Sequence, residues 1–144
     1  MAGHRGRLLR DRPRSRPVDG RGRGADVAER IDWVEGDLAT WTPQPGHYDL
    51  VACLYVHVAG SVEEMVRRMA AGVAPGGTLF LVGHRPIDPA TGAATAAAGQ
   101  VQVSIDTAVA ALDPGRWDVM LAEDRPRAMA GTGVDAVICA RSLS

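Results

Sequence analysis

Apolar residues along this chain fall into short blocks separated by turn-forming residues, and the blocks switch between two periodicities. Tyr48 to Leu54 and Thr78 to Val82 are nearly continuous apolar runs of strand length, as expected for strands buried in a parallel sheet. Between them, Val62, Met65, Val66, Met69 and Val73 recur at helical spacing. Ser61 and Glu64 form a capping box at the start of that stretch, because a serine side chain there can accept from the amide three residues on. Pro75-Gly76-Gly77 predicts the stop of the helix and the turn into the next strand. Upstream, Ala25 to Arg30 reads as the tail of a helix, and Ile31 to Val34 predicts a short strand leading to an acidic turn. Downstream, residues 86–103 are rich in Ala, Gly and Thr and predict a long loop or a partly helical lid. Ser104 caps a predicted short helix through Leu112, and Trp117 to Glu123 and Val134 to Ala140 predict two final strands. The order β-β-α-β-α-β-β predicts an α/β fold, with an open, mostly parallel sheet and an antiparallel C-terminal strand.

The first part of the chain breaks this pattern. Residues 1–24 hold almost no apolar residues beyond Leu8, Leu9 and Val18, too few to offset the entropy of ordering. They carry eight arginines against Asp11 and Asp19, a net +6, whereas residues 25–144 carry −7. The segment is expected to be disordered, or to be an out-of-frame reading of GC-rich coding DNA; every basic residue of the chain is arginine. A basic arm on nucleic acid is the functional alternative, disfavoured because the arm has no aromatic residue to stack on bases. Asp19-Gly20-Arg21-Gly22-Arg23-Gly24 has the glycine spacing of a nucleotide loop, but no apolar strand precedes it. Two parts are therefore expected: the basic segment 1–24 and a domain over 25–144.

Composition narrows the class. The apolar share of 46% and charged share of 23% are those of a water-soluble globular domain, and no apolar run is long enough to span a membrane. The arginine-rich start lacks the apolar stretch of a secretory signal. Cys53 and Cys139 sit in separate apolar runs, which predicts buried reduced thiols and a cytoplasmic protein. The four histidines show no metal-ligand spacing, and no G-x-S-x-G elbow is present.

Three stretches, taken in order, carry a family resemblance: Ile31-Asp32-Trp33-Val34-Glu35-Gly36-Asp37-Leu38, Tyr48-Asp49-Leu50-Val51-Ala52-Cys53-Leu54-Tyr55-Val56-His57, and Pro75-Gly76-Gly77-Thr78-Leu79-Phe80-Leu81-Val82-Gly83-His84. Their succession resembles the second half of a class I S-adenosylmethionine-dependent methyltransferase. The resemblance implies a Rossmann-like sheet, here without the N-terminal strand and glycine loop, and S-adenosylmethionine as cofactor. It implies a small-molecule methyl acceptor, and a domain that is truncated and impaired in cofactor binding. A non-catalytic remnant or interaction module is the competing expectation. In the parent arrangement another strand would flank Tyr48 to Leu54. Its loss would expose an edge with Val51, Leu54 and Val56 and favour self-association.

By the same resemblance, Asp37 would accept from the adenine amino group and Leu38 would pack on the ring; the plain alternative for Asp37 is a turn cap. Cys53, Leu54 and Tyr55 would form the floor of the cofactor cleft, because ligands of open α/β sheets bind beyond the carboxyl ends of the strands. His57 and His84 each follow a strand end and are the candidate catalytic bases, since imidazole titrates near neutral pH. A packing role accounts equally well for His57. Little other catalytic apparatus is needed, because an activated methyl group reacts once it is aligned with its acceptor.

Overall fold

In the computed structural model, residues 29–129 and 133–144 are described, and the chain divides into two units, Met1–Trp41 and Thr42–Ser144. The helix tail at Ala25 to Arg30 and the basic segment lie mostly or wholly outside the described residues.

The described part of the first unit, residues 29–41, holds no strand. The expected strand Ile31 to Val34 is extended chain without a ladder: Ile31, Trp33 and Val34 are exposed, Trp33 at 85%. An apolar run becomes a strand only where a neighbour takes up its backbone hydrogen bonds, and none does so here. The acidic turn is real. The carbonyl of Asp37 accepts from the amides of Thr40 (3.0 Å) and Trp41 (2.7 Å). Its side-chain Oδ1 accepts from the Ala39 amide at 2.9 Å, which makes an Asx turn.

The second unit contains β1 (Tyr48–Leu54), α1 (Val62–Ala71), β2 (Val73–His84), α2 (Ile105–Ala111), β3 (Trp117–Pro126) and β4 (Val134–Ser142). The four strands form one sheet in the order β1-β2-β4-β3. Only β1 and β2 are parallel; β4 runs antiparallel to both β2 and β3. The sheet is therefore mixed rather than mostly parallel. The long β3–β4 hairpin inserts its second strand beside β2, so two of its three pairings are antiparallel.

Local chemistry sets the helix limits. Ser61 Oγ accepts from the Glu64 amide at 3.2 Å and caps α1. The helix ends at Ala71, two residues before Val73, because Gly72 closes it. The amides of Gly46, His47 and Tyr48 then donate to the last carbonyls, those of Ala71 and Gly72, at 2.8–3.0 Å. Val73 is buried and opens β2 instead of ending the helix. Pro75-Gly76-Gly77 forms a bulge inside β2: β1 pairs Tyr48 with Val73 and then Leu50 with Thr78. Gly76 has φ +76°, and a Cβ on Gly77 would lie 2.9 Å from the Ala74 carbonyl oxygen. Ser104 caps α2 as expected, accepting from the Thr107 amide.

The two helices pack against each other on one face of the sheet. Val66 of α1 and Leu79, Leu81 and Ile138 of the sheet are the largest fully buried side chains. Cys53 Sγ lies 3.8 Å from Met65 Sδ, which fixes the helix-side face of β1. Alternation then puts Leu50 and Leu54 on the other face, where they are 60% and 50% exposed. Among the described residues β1 is an edge strand.

Candidate functional site

Four side chains from distant parts of the second unit meet beyond the carboxyl ends of β1 and β2. The ladder between β2 and β4 sets His84 directly opposite Asp135. The β3–β4 hairpin returns Arg127, just past the end of β3, to the same place. Tyr55 follows β1, and its amide donates to the Val82 carbonyl at 2.8 Å. The resulting contacts are short. His84 Nδ1 is 2.8 Å from Asp135 Oδ1, and the Tyr55 hydroxyl donates to Asp135 Oδ2 at 3.0 Å. Arg127 Nε donates to both oxygens of Asp135 at 3.2 Å, and its Nη2 to Oδ1 at 3.1 Å. The Tyr55 and His84 rings lie 4.4 Å apart, tilted by 31°, and the Arg127 guanidinium lies 5.7 Å from the Tyr55 ring centroid.

Two features mark the cluster as more than a surface ion pair. Asp135 is 8% exposed, so its charge is held away from water and needs its three partners. Burial pushes its carboxyl up. The hydrogen bonds from His84, Tyr55 and Arg127, with the Arg127 charge, outweigh burial and hold it below the usual carboxylate range. Tyr55 has φ +56°, the one non-glycine residue in the left-handed region among the described residues. That conformation costs about 1–2 kcal/mol and is tolerated where surrounding contacts fix it. Here the Val82 carbonyl and Asp135 hold its two ends.

The His84 ring is oriented by its neighbours. Its Nδ1 lies against Asp135 Oδ1, and Arg127 Nη2 contacts both ring nitrogens, Nδ1 the more closely and Nε2 at 3.0 Å. The His84 amide donates to Gln102 Oε1 at 2.8 Å. A Cβ on Gly83 would lie 2.5 Å from the Val103 carbonyl oxygen, so glycine is required for the 101–104 segment to approach the strand end. A cavity of about 190 Å³ adjoins the cluster, lined by His84, Arg85, Thr95, Ala97, Gln100 and Arg127 among others.

Within the second unit the structure brings together two of the sequence candidates, His84 and Tyr55, and leaves the side chains of Cys53, Leu54 and His57 out of the cluster. Leu54 is half exposed at the end of β1. The Cys53 thiol turns toward Met65 and burial pushes its pKa up, so only its main chain faces the strand end. His57 is exposed and takes no part in the cluster. Asp37 is exposed and Leu38 half buried in the first unit. Arg127 and Asp135 were not among the sequence candidates. One signal was present: Asp135 is the single acid in the otherwise apolar run Val134 to Ala140. Among the described residues no group of three or more His, Cys, Asp or Glu side chains could hold a metal. No helix there is long and apolar enough to cross a membrane.

No family model and no curated protein matches the sequence. Solved structures do match. An S-adenosylmethionine-dependent methyltransferase from Mesorhizobium loti superposes with a TM-score of 0.53 at 17% identity, over 74% of this chain and 67% of that one. The N-methyltransferase NodS from Bradyrhizobium japonicum, solved with S-adenosyl-L-homocysteine, gives 0.57 at 16% identity, over 85% and 61%. The [4+2]-cyclase SpnF gives 0.57 at 12% identity, over 81% and 57%. The chain thus spans roughly three fifths to two thirds of the length of these structures. At these identities the likeness is one of fold, and the fold is that of S-adenosylmethionine-dependent methyltransferases. That a cyclase shares it shows that fold alone does not fix the reaction.

Proposed function

We propose that this chain binds S-adenosylmethionine and directs methyl transfer to a small molecule. The observation that carries the reading is the Tyr55–His84–Arg127–Asp135 cluster, beyond the carboxyl ends of β1 and β2 in a sheet of this fold. The cofactor, when bound, supplies an activated methyl group for in-line displacement by the acceptor.

Each unit, taken by itself, holds residues that suit that group. Asp37 Oδ1 is held by the Ala39 amide while its second carboxylate oxygen is left to accept, which fits an adenine amino donor, with the half-buried Leu38 as the apolar contact. Leu54, Tyr55 and the Cys53 main chain supply the floor at the strand end. His84 acts on the acceptor. Asp135 orients the ring through Nδ1, and the imidazole takes the acceptor proton. His57 is the secondary base candidate, placed on the loop after β1.

We further propose that cofactor binding is weak, no tighter than about millimolar, near −4 kcal/mol. Among the described residues no strand flanks β1 on its outer side, and no glycine loop follows a strand there. Titration of the chain with S-adenosylhomocysteine, followed by NMR, tests this. Saturable shifts in the millimolar range are expected, weakened by about 1–3 kcal/mol in Asp37→Ala. No saturable shift at all would defeat the methyltransferase reading and leave an interaction module, the alternative favoured by the exposed Leu50 and Leu54 on the edge strand.

A further inference from the structure

We propose that the outer edge of β1 is a docking surface for a second copy of this chain. The two copies pair antiparallel about a two-fold axis at Ala52 and join their sheets into one. The proposal stands apart from the methyltransferase reading; it rests on the contrast between the two edges of the sheet.

Among the described residues the outer strands are β1 and β3, and they are built differently. β3 carries features that oppose pairing. It holds Asp118, Glu123, Asp124 and Arg125, ends at Pro126, and has a break in its register between Val119 and Leu121. In β1 the only charged residue is Asp49, near the start, and no proline interrupts the strand. Its main chain is open on the outer side. The Tyr55 amide points to β2, where it donates to the Val82 carbonyl. Main-chain groups alternate in direction along a strand. Val51 and Cys53 therefore bond to β2 as well, while Leu50, Ala52 and Leu54 turn their N–H and C=O groups outward. The side chains of Leu50 and Leu54 are exposed beside those groups, on the face opposite the helices.

Charge and register choose the occupant and its direction. A parallel copy in register would set Asp49 beside Asp49, and like charges there oppose pairing. An antiparallel copy parts them. Opposed residues of an antiparallel pair point to the same face, so the outward-bonding residues of one copy meet those of the other. With the axis at Ala52, Leu50 of each copy faces Leu54 of the other and Ala52 faces Ala52. The two Asp49 residues then stand at opposite ends of the seam, about 20 Å apart. Moving the axis to Val51 or Cys53 sets a leucine opposite an alanine, and moving it toward Asp49 draws the acids together. Pairing of β1 with β3 of another copy would repeat without closing, and the charges of β3 oppose it; the β1 pair closes on itself. A seam of seven residues falls below the roughly 1,200 Å² of a stable interface, so the dimer is weak and reversible.

The seam has a defined end. Tyr55, with φ +56°, leaves the extended conformation directly after Leu54, so pairing stops there. The Tyr55 hydroxyl stays on Asp135. The dimer thus forms beside the polar cluster without taking it apart, because the main-chain groups it uses belong to residues outside the cluster.

Cysteine cross-linking of the full chain reads the register. Opposed residues of a hydrogen-bonded antiparallel pair have Cα atoms about 5.5 Å apart, within disulfide reach. Ala52→Cys is therefore expected to oxidise to a covalent dimer about tenfold faster than Leu50→Cys or Leu54→Cys alone, each of which lies about 13 Å along the seam from its own copy. An equimolar mixture of the Leu50→Cys and Leu54→Cys chains should recover the fast rate. The wild-type chain, with Cys53 and Cys139, sets the background. Sedimentation velocity gives a second reading. The wild-type chain should pass from monomer to dimer as concentration rises. Ala52→Pro removes an outward donor and leaves the bonds to β2, so it should weaken the dimer about tenfold. A wild-type chain that stays monomeric up to about 1 mM, equal cross-linking at all three positions, or a folded Ala52→Pro chain that dimerises like the wild type would each overturn the proposal. If Ala52→Pro does not fold, the cross-linking series decides alone.

Discussion

β1 and β4 are written in nearly the same alphabet, yet they occupy opposite situations. β1 reads Tyr-Asp-Leu-Val-Ala-Cys-Leu and β4 reads Val-Asp-Ala-Val-Ile-Cys-Ala-Arg-Ser; each has an acid in second place and a cysteine toward its end. β4 is paired on both sides and is buried along most of its length. β1 is paired on one side, and Leu50 and Leu54 are exposed. Their acids differ accordingly. Asp49 is exposed, whereas Asp135 is buried and holds three partners. Apolar composition therefore does not decide burial; the number of neighbouring strands does. A buried acid becomes a site only where the ladders deliver donors to it.

The sharpest test of this contrast is truncation of one side chain in each strand. Ile138→Ala in β4 should lower stability by about 2–5 kcal/mol in urea melts, through lost transfer and a residual cavity. Leu50→Ala in β1 should stay within about 0.5 kcal/mol, as for an exposed position. Equal costs would mean that β1 is covered as well as β4.

Asp135→Asn should come next, at about 2–3 kcal/mol, because it leaves the Arg127 charge and the His84 donor poorly matched. It should also change the pH dependence. The folded carboxyl sits below its unfolded value. Its stabilisation is therefore complete above the unfolded range, about pH 4, and fades as the pH falls through the lowered folded value. The variant should show a flatter acid limb in melts between about pH 5 and 2. An unchanged acid limb would show that other carboxylates control it. Tyr55→Phe removes one bond from the same acid and should cost about 1 kcal/mol, with the φ of residue 55 retained.

The smallest effect on stability is expected at the edge, with the clearest effect on association. Leu50→Lys and Leu54→Lys should leave the melting transition nearly unmoved while lowering light scattering at high concentration, because charge on an edge strand opposes pairing with another chain. A wild-type chain that is monodisperse under the same conditions would remove the reason to expect association at all.

Much of the second unit was legible from the pattern of residues. The periodicity around Met65 and Met69, the Ser61 and Ser104 caps and the four apolar runs all became the expected elements. These signals are local, and local rules suffice for them. Two errors came from non-local causes. Ile31 to Val34 has the composition of a strand but no partner among the described residues. The sheet is mixed because the β3–β4 hairpin places β4 between β2 and β3, which no single stretch reveals. The site divides in the same way. Tyr55 and His84 could be found because each follows a strand directly. Arg127 and Asp135 reach them across 43 and 51 residues from His84, through antiparallel ladders that the sequence does not spell out.

The pairing of His84 with Asp135 is also a rung of the sheet, and this makes the site a gauge of alignment. Side chains on a strand alternate between faces, so a slip of one residue between β2 and β4 would send Asp135 to the helix side and bring Ala136 or Val134 opposite the imidazole. No intermediate slip preserves the cluster. The chemistry is thus digital with respect to strand alignment: either the ladder is in frame and four polar groups converge, or none of the convergence survives. A chemical-shift signature of the His84 ring would then report, from one residue, whether the central pair of strands has found its partner correctly.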